Sequence, residues 1–135
     1  MLLLDTSVWI EFLRATGSPA DREVSRLLAQ TPDAVAIAPP ITMELLAGAP
    51  NVAALASLES LTNGLRSLDL DQRLDFQAAA TSYRTARAGG ATVRSLVDCL
   101  IAVLALRADA TVVHRDRDFD VLSEVLPGLR VRRLD

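Results

Sequence analysis

Short apolar runs alternate with stretches of helical periodicity from one end of the chain to the other. Leu2 to Leu4 is apolar and is stopped by Asp5-Thr6-Ser7, all good N-cap residues, so a strand followed by a helix over Val8 to Arg14 is expected. Gly17-Ser18-Pro19 breaks the pattern, and a second helix starts near Ala20, with Val24, Leu27 and Leu28 on one face. After the turn at Thr31-Pro32-Asp33, Ala34 to Ala38 reads as a short buried strand. Pro39-Pro40 opens a helix to Ala47, and Asn51 caps another that ends at Gly64. A strand is expected over Ser67 to Leu70 and a long helix from Asp71 to Arg87. Ser95 to Leu106 is apolar nearly all round, as a buried helix is. Thr111 to His114 reads as a strand, Phe119 to Leu126 as a short helix, and Leu129 to Leu134 as a polar edge strand.

Strands separated by helices predict an α/β fold with a mainly parallel sheet and helices on both faces. Functional residues of such sheets gather at the carboxyl ends of the strands, where Asp5 and Asp116 would lie. Length and composition agree: 135 residues, half of them hydrophobic and 23% charged, suffice for one domain with a real core, residues 1–135.

Charge narrows the chemistry. All 14 basic residues are Arg. Without Lys there is no P-loop, Schiff base, Ser-Lys hydrolase or kinase-type site. One Cys and one His cannot supply a four-ligand zinc site. A net charge of -3 argues against coating nucleic acid by bulk electrostatics but leaves room for a basic rim around an acidic site. The single Cys cannot form an internal disulfide, which fits a reducing, cytoplasmic setting. The N-terminus does not read as a secretory signal, and the longest uncharged run, Leu45 to Leu58, is shorter than the roughly 18 residues of a membrane span, so no membrane association is expected.

Three acids stand alone among uncharged residues. Asp5 is the only charge in residues 1–10, Glu44 the only one between Ala34 and Pro50, and Asp98 the only one between Ser95 and Leu106. A fourth acidic cluster, Asp116, Asp118 and Asp120, follows the strand at Thr111. Each has a plain alternative: Asp5 as a helix cap, Glu44 as an exposed helix residue, Asp98 as a first-turn charge, the Asp cluster as a solvated turn. Jointly they suggest a sheet-edge site for hard divalent cations, which take oxygen ligands and assist phosphodiester cleavage. A receiver domain does not fit, for want of the Lys and of paired early acids. An EF-hand does not fit because Val121 stands where its Gly belongs and Pro127 where its Glu belongs.

Four motifs, in order, carry a resemblance over essentially the whole chain. Leu3-Leu4-Asp5-Thr6-Ser7, then Ile41-Thr42-Met43-Glu44-Leu45-Leu46-Ala47-Gly48, then Asp98-Cys99-Leu100-Ile101-Ala102, then His114-Arg115-Asp116-Arg117-Asp118-Phe119 resemble the PIN-domain ribonucleases, specifically the VapC toxins of bacterial toxin–antitoxin pairs. The resemblance implies a parallel five-stranded sheet in the order 3-2-1-4-5 and an RNA-cleaving site dependent on Mg2+ or Mn2+. It makes Asp5, Glu44, Asp98 and Asp116 the catalytic quartet, with Asp5, Asp98 and Asp116 on the metal, Asp118 an auxiliary acid and Thr6 a neighbouring hydroxyl. It implies a cognate VapB-type antitoxin, an RNA substrate and a homodimer, the last through apolar residues of the first helix (Val8, Trp9, Phe12, Leu13) and around Leu45 and Leu46. The family often has Thr or Ser where this chain has His114. Arg115 and Arg117 are candidates to bind RNA phosphates, with Arg84, Arg87 and Arg94 as an opposite rim. Cys99, beside Asp98, reads as a small buried hydrophobe. A non-catalytic binding module of the same fold is the alternative function.

Overall fold

A computed structural model describes residues 1–135. In chain order the elements are β1 (Leu2–Leu4), α1 (Thr6–Leu13), α2 (Pro19–Gln30), β2 (Val35–Ile37), α3 (Pro39–Ala47), α4 (Val52–Asn63), β3 (Arg66–Ser67), α5 (Leu74–Ala88), α6 (Leu96–Arg107), β4 (Thr111–His114), α7 (Arg117–Val125) and β5 (Arg130–Arg133). A single 3₁₀ turn, Pro32–Ala34, leads into β2. The five strands form one sheet in the order β3-β2-β1-β4-β5, and every pairing is parallel.

Burial explains the strand compositions. The central strands are covered on both sides: Leu3, Leu4, Val35, Ala36, Ile37, Val112, Val113 and His114 are all buried. Each large aliphatic side chain withdrawn from water there contributes about 1.5–3 kcal/mol. The edge strands differ. β3 is Arg-Ser with both residues exposed, and β5 is Arg-Val-Arg-Arg, so charge guards both free edges. α6 buries Cys99 and the whole run from Ile101 to Ala105, the behaviour of a helix apolar on all sides.

The helix starts follow the capping residues. Asp5, Ser18, Asn51, Ser95 and Asp116 each accept a hydrogen bond from a first-turn amide. Several boundaries differ from expectation, α1 among them, which begins at Thr6 because Asp5 caps it. β3 is Arg66–Ser67 rather than Ser67 to Leu70, because pairing to Ala36 and Ile37 ends there. α5 begins at Leu74, since the Asp71 carboxylate accepts from the Arg73 and Leu74 amides and makes a turn first. α7 begins at Arg117, two residues before Phe119, because Asp116 caps it.

The expected apolar face is partly open: Ile10 and Leu13 of α1 line a cleft of about 510 Å3 together with Leu45 and Leu58. Val8 and Trp9 are fully buried and Leu45 nearly so, while α1 packs on α2; only Leu13 of those residues is exposed. Further exposed apolar side chains are Met43 on α3, Val52 on α4, and Leu74, Phe76 and Leu96 on α5 and α6. No helix is long and apolar enough to cross a membrane.

Candidate active site

β1 lies between β2 and β4, so the chain reverses direction across the sheet at the β1–β4 junction. A crevice opens outside the carboxyl ends of strands at such a point. The Asp5 amide donates to the Val113 carbonyl at 2.9 Å, so Asp5 is still held by the ladder as it caps α1. Its Oδ2 accepts from the Ser7 amide at 3.0 Å and the Ser7 hydroxyl at 2.6 Å. Its Oδ1 is buried and has no partner. Burial, opposed by the Ser7 bonds and reinforced by the charge of Glu44, holds this carboxyl above its ordinary range.

Asp116 repeats the arrangement one strand away. It caps α7 through Oδ1, which accepts from the Asp118 amide at 2.9 Å. The same oxygen accepts from Arg94 Nη2 at 2.9 Å. Asp118 is fully buried; its Oδ2 accepts the Arg94 amide at 2.9 Å, which pins the segment entering α6. Gly90, at φ 83, supplies the left-handed bend where that segment leaves α5.

Asp98 sits in the first turn of α6, where its amide donates to Ser95 Oγ at 3.3 Å. Burial, then the charges of Asp5, Asp116, Asp118 and Glu44, push its carboxyl up to about 8. One carboxylate oxygen each from Asp98, Asp116 and Asp118 lie within 4.8 Å of one another. Asp5 is outside that tightest trio but acts on Asp98 as the strongest of its charged neighbours. Glu44, from α3, accepts from Thr6 Oγ1 at 2.9 Å, which ties the start of α1 to α3.

These residues suit a divalent cation on two observations. A buried carboxylate oxygen of Asp5 lacks any donor, and Asp98 bears the field of four other acids with only Ser95 bound at its amide. A doubly charged ion with oxygen preference would relieve both.

The basic rim is partly committed. A polar cleft of about 380 Å3 is lined by Ser7, Arg94, Arg115, Asp116, Arg117 and Arg133. Arg94 therefore shares a rim with Arg115 and Arg117 and does not stand opposite them. Arg94 pairs with Asp116, Arg115 with Glu11 at 2.9 Å, and Arg133 with Asp120 at 2.6 Å. Arg117 makes no ion pair, so its charge is free. Cys99 is buried and its thiol is pushed up to about 11, so it is no nucleophile at neutral pH. His114 is fully buried, and burial lowers its pKa, so the imidazole is neutral.

Ser7, Ser95 and Arg133 were not singled out from the residues as site components. The Ser7 hydroxyl donates to Asp5 and accepts the Arg115 amide at 3.0 Å, bridging the ends of β1 and β4. A hydroxyl two residues after an isolated acid was the available signal, and it was legible only as a cap.

A parallel sheet in this order, with acids from β1, α3, α6 and the end of β4 at one edge, defines a PIN domain. The family model for the PIN domain matches residues 2–125, and the chain belongs to that family. Among curated proteins, it is 53% identical over 125 residues to ribonuclease VapC11 of Mycobacterium tuberculosis and to VapC ribonuclease Mb1587 of Mycobacterium bovis, covering 93% of this chain and 93% of each relative. Among solved structures it superimposes on VapBC2 from Rickettsia felis with a TM-score of 0.75 at 17% identity, covering 99% of this chain and 98% of that one. VapC20 of Mycobacterium tuberculosis, a Sarcin-Ricin loop cleaving toxin, gives a TM-score of 0.65 at 21% identity over 89% of this chain and 93% of its own. These last two likenesses concern the fold.

Proposed function

We infer that the protein is a ribonuclease of the VapC type, the toxin of a toxin–antitoxin pair, and that its cleavage depends on Mg2+ or Mn2+ held by the acidic cluster. The observation that carries the metal reading is the convergence of carboxylate oxygens from Asp98, Asp116 and Asp118 within 4.8 Å of one another, with a buried Asp5 oxygen that has no donor. A bound divalent ion would supply an activated water at neutral pH and offset phosphate charge as the scissile bond breaks. The residues do the rest. Asp98 and Asp116, whose oxygens lie within 4.8 Å of one another, would hold the ion together with Asp5, and Glu44, bonded to Thr6, would complete the quartet from α3. Asp118, through Arg94, steadies the loop that leads into α6. Arg117 contacts an RNA phosphate, with Arg115 and Arg94 alongside as weaker contributors, because their charges are already engaged.

A VapB-type antitoxin is the expected partner, a reading supported by structural neighbours that include VapBC2 of Rickettsia felis and VapBC-5 of Mycobacterium tuberculosis, a member of the VapBC family of toxin–antitoxin systems. Self-association belongs to the same reading, with Leu74, Phe76 and Leu96 as the apolar surface a second copy would cover. The deciding experiment is cleavage of a labelled RNA by the wild type with and without added Mn2+, next to Asp98→Asn. Activity that needs the ion and is lost in the variant supports the reading. Full activity in a thorough chelator, or in Asp98→Asn, rules the metal site out.

A further inference from the structure

His114 sits where β4 ends, and its ring is fully buried against Phe119, with centroids 5.2 Å apart. Its backbone is held by the sheet: Arg133 is its partner across β5, and its carbonyl accepts the Leu134 amide at 2.8 Å. The side chain does something more specific than fill space. Nδ1 lies 3.2 Å from the Asp116 amide and accepts its hydrogen. A side chain accepting the amide two residues on is the device by which Asn, Asp, Ser and Thr shape turns. Here an imidazole makes the turn.

We propose that His114 is a positioning residue for the nuclease site, its Nδ1 holding the Asp116 amide so that the Asp116 carboxylate stands beside Asp98. The proposal rests on the acidic cluster being the nuclease site.

Two bonds then set Asp116 from opposite ends. His114 holds its amide, and its own Oδ1 caps α7 at the Asp118 amide, 2.9 Å away. The first bond fixes where the backbone turns, and the second fixes the side chain on that backbone. With Arg94 Nη2 on the same Oδ1 and the Ser7 hydroxyl on the Arg115 amide, they place the Asp116 carboxylate within 4.8 Å of oxygens from Asp98 and Asp118. Removing the acceptor leaves the amide without its partner at the base of the site, and the turn can relax to find another. The tautomer follows from the contact. Nδ1 accepts, so the ring hydrogen is on Nε2, which faces Asp120 Oδ1 at 3.4 Å, too poorly aligned to make a hydrogen bond. Asp120 is in turn held by Arg133 Nη1 at 2.6 Å. Asp120, Asp5 and Arg133 are the charged groups that act on the ring.

Side-chain reach separates this role from simple packing. In His114→Asn an amide oxygen stands close to the place of Nδ1 and can accept the same hydrogen. In His114→Gln the polar end reaches the place of Nε2 instead, and in His114→Leu no acceptor remains. Mn2+ affinity measured by calorimetry, together with kcat and KM for one RNA, is expected to fall on the order of tenfold or more in affinity and kcat for Gln and Leu, with KM little changed. His114→Asn is expected to recover most of that loss even if its thermal midpoint is the lowest of the three. Equal loss in all three variants, or none in Leu, overturns the role. Asp98→Asn serves as the control: if it still cleaves, the site reading has failed rather than this one. A measurement on the wild type is independent of folding in any variant. Long-range proton–nitrogen spectra should show Nδ1 unprotonated and Nε2 protonated, and a proton on Nδ1 would overturn the proposal outright.

Discussion

Asp5 and Asp116 cap the helices that follow two neighbouring parallel strands, and each commits one carboxylate oxygen to its cap. Asp5 uses Oδ2 on Ser7, and Asp116 uses Oδ1 on Asp118. The cap is thus not an alternative to a site role; it is what orients the other oxygen. The positive end of each helix also lowers the cost of bringing anions together there.

Asp5→Asn and Asp98→Asn are therefore expected to abolish cleavage, by more than about 100-fold, beyond what an outer-shell partner typically costs. Neither should unfold the protein. An Asn still caps α1, and at Asp98 the change removes a charge that burial and four other acids oppose. Cleavage of a labelled RNA and circular dichroism on the same samples check both halves.

Arg117→Ala should weaken RNA binding and leave Mn2+ binding intact. Its guanidinium has no carboxylate to leave behind, whereas Arg115 is already paired with Glu11. The slope of log affinity against log salt should shrink by roughly 0.7–1 on loss of one phosphate contact. Arg115→Ala should change it less. Fluorescence anisotropy with a short single-stranded RNA at several salt concentrations compares the two.

Much of this was legible in the residues because the relevant signals are local. β1 and β4 are apolar runs that stop at polar residues, and Asp5, Glu44 and Asp98 are conspicuous because nothing charged surrounds them. β3 was misplaced because its two exposed residues belong to the sheet through backbone pairing alone, which leaves no side-chain pattern. The rim was misread for a different reason. Arg94 meets Asp116 and Asp118 across 22 and 24 residues, and the Ser7 hydroxyl meets the Arg115 amide across 108. Spacing along a chain does not encode such contacts. The burial of Asp118 was hidden too, since Asp116-Arg117-Asp118 has the composition of a solvated turn.

Self-association should depend on α5 and α6 rather than on α1. Phe76 and Leu96 are more than half exposed and line an apolar cleft with Ala79, Ala80, Val97 and Leu100. A stable interface covers about 800 Å2 on each partner, and a charge placed at its centre is not tolerated. Light scattering at tens of micromolar should give about twice 14.5 kDa for the wild type and 14.5 kDa for Phe76→Glu. A monomeric wild type at that order of concentration would count against self-association.

The acidic cluster should also be visible in stability, through the pH dependence of chelator-treated protein. Burial and the neighbouring acids push the Asp98 carboxyl up to about 8 in the fold, from an ordinary value of 3.8. A raised acid binds its proton more tightly in the native state, so its contribution is fully present below about 4 and is lost as pH rises through about 8. Asp5 is shifted in the same direction. His114, with its pKa lowered by burial, acts oppositely, adding stability above its ordinary value and losing it as pH falls. Asp75 and Glu23, both lowered by Arg partners, lose theirs only at lower pH. The difference between wild type and Asp98→Asn cancels the terms they share and isolates Asp98. Urea midpoints should show the wild type losing ground to the variant between pH 4 and pH 8, by on the order of a few kcal/mol. Adding Mn2+ at pH 8 should restore the wild type and leave the variant largely unmoved, since the ion favours the charged carboxylate. A difference that is flat across this range would mean that Asp98 ionises normally, and the case for a cation at this site would lose one of its supports.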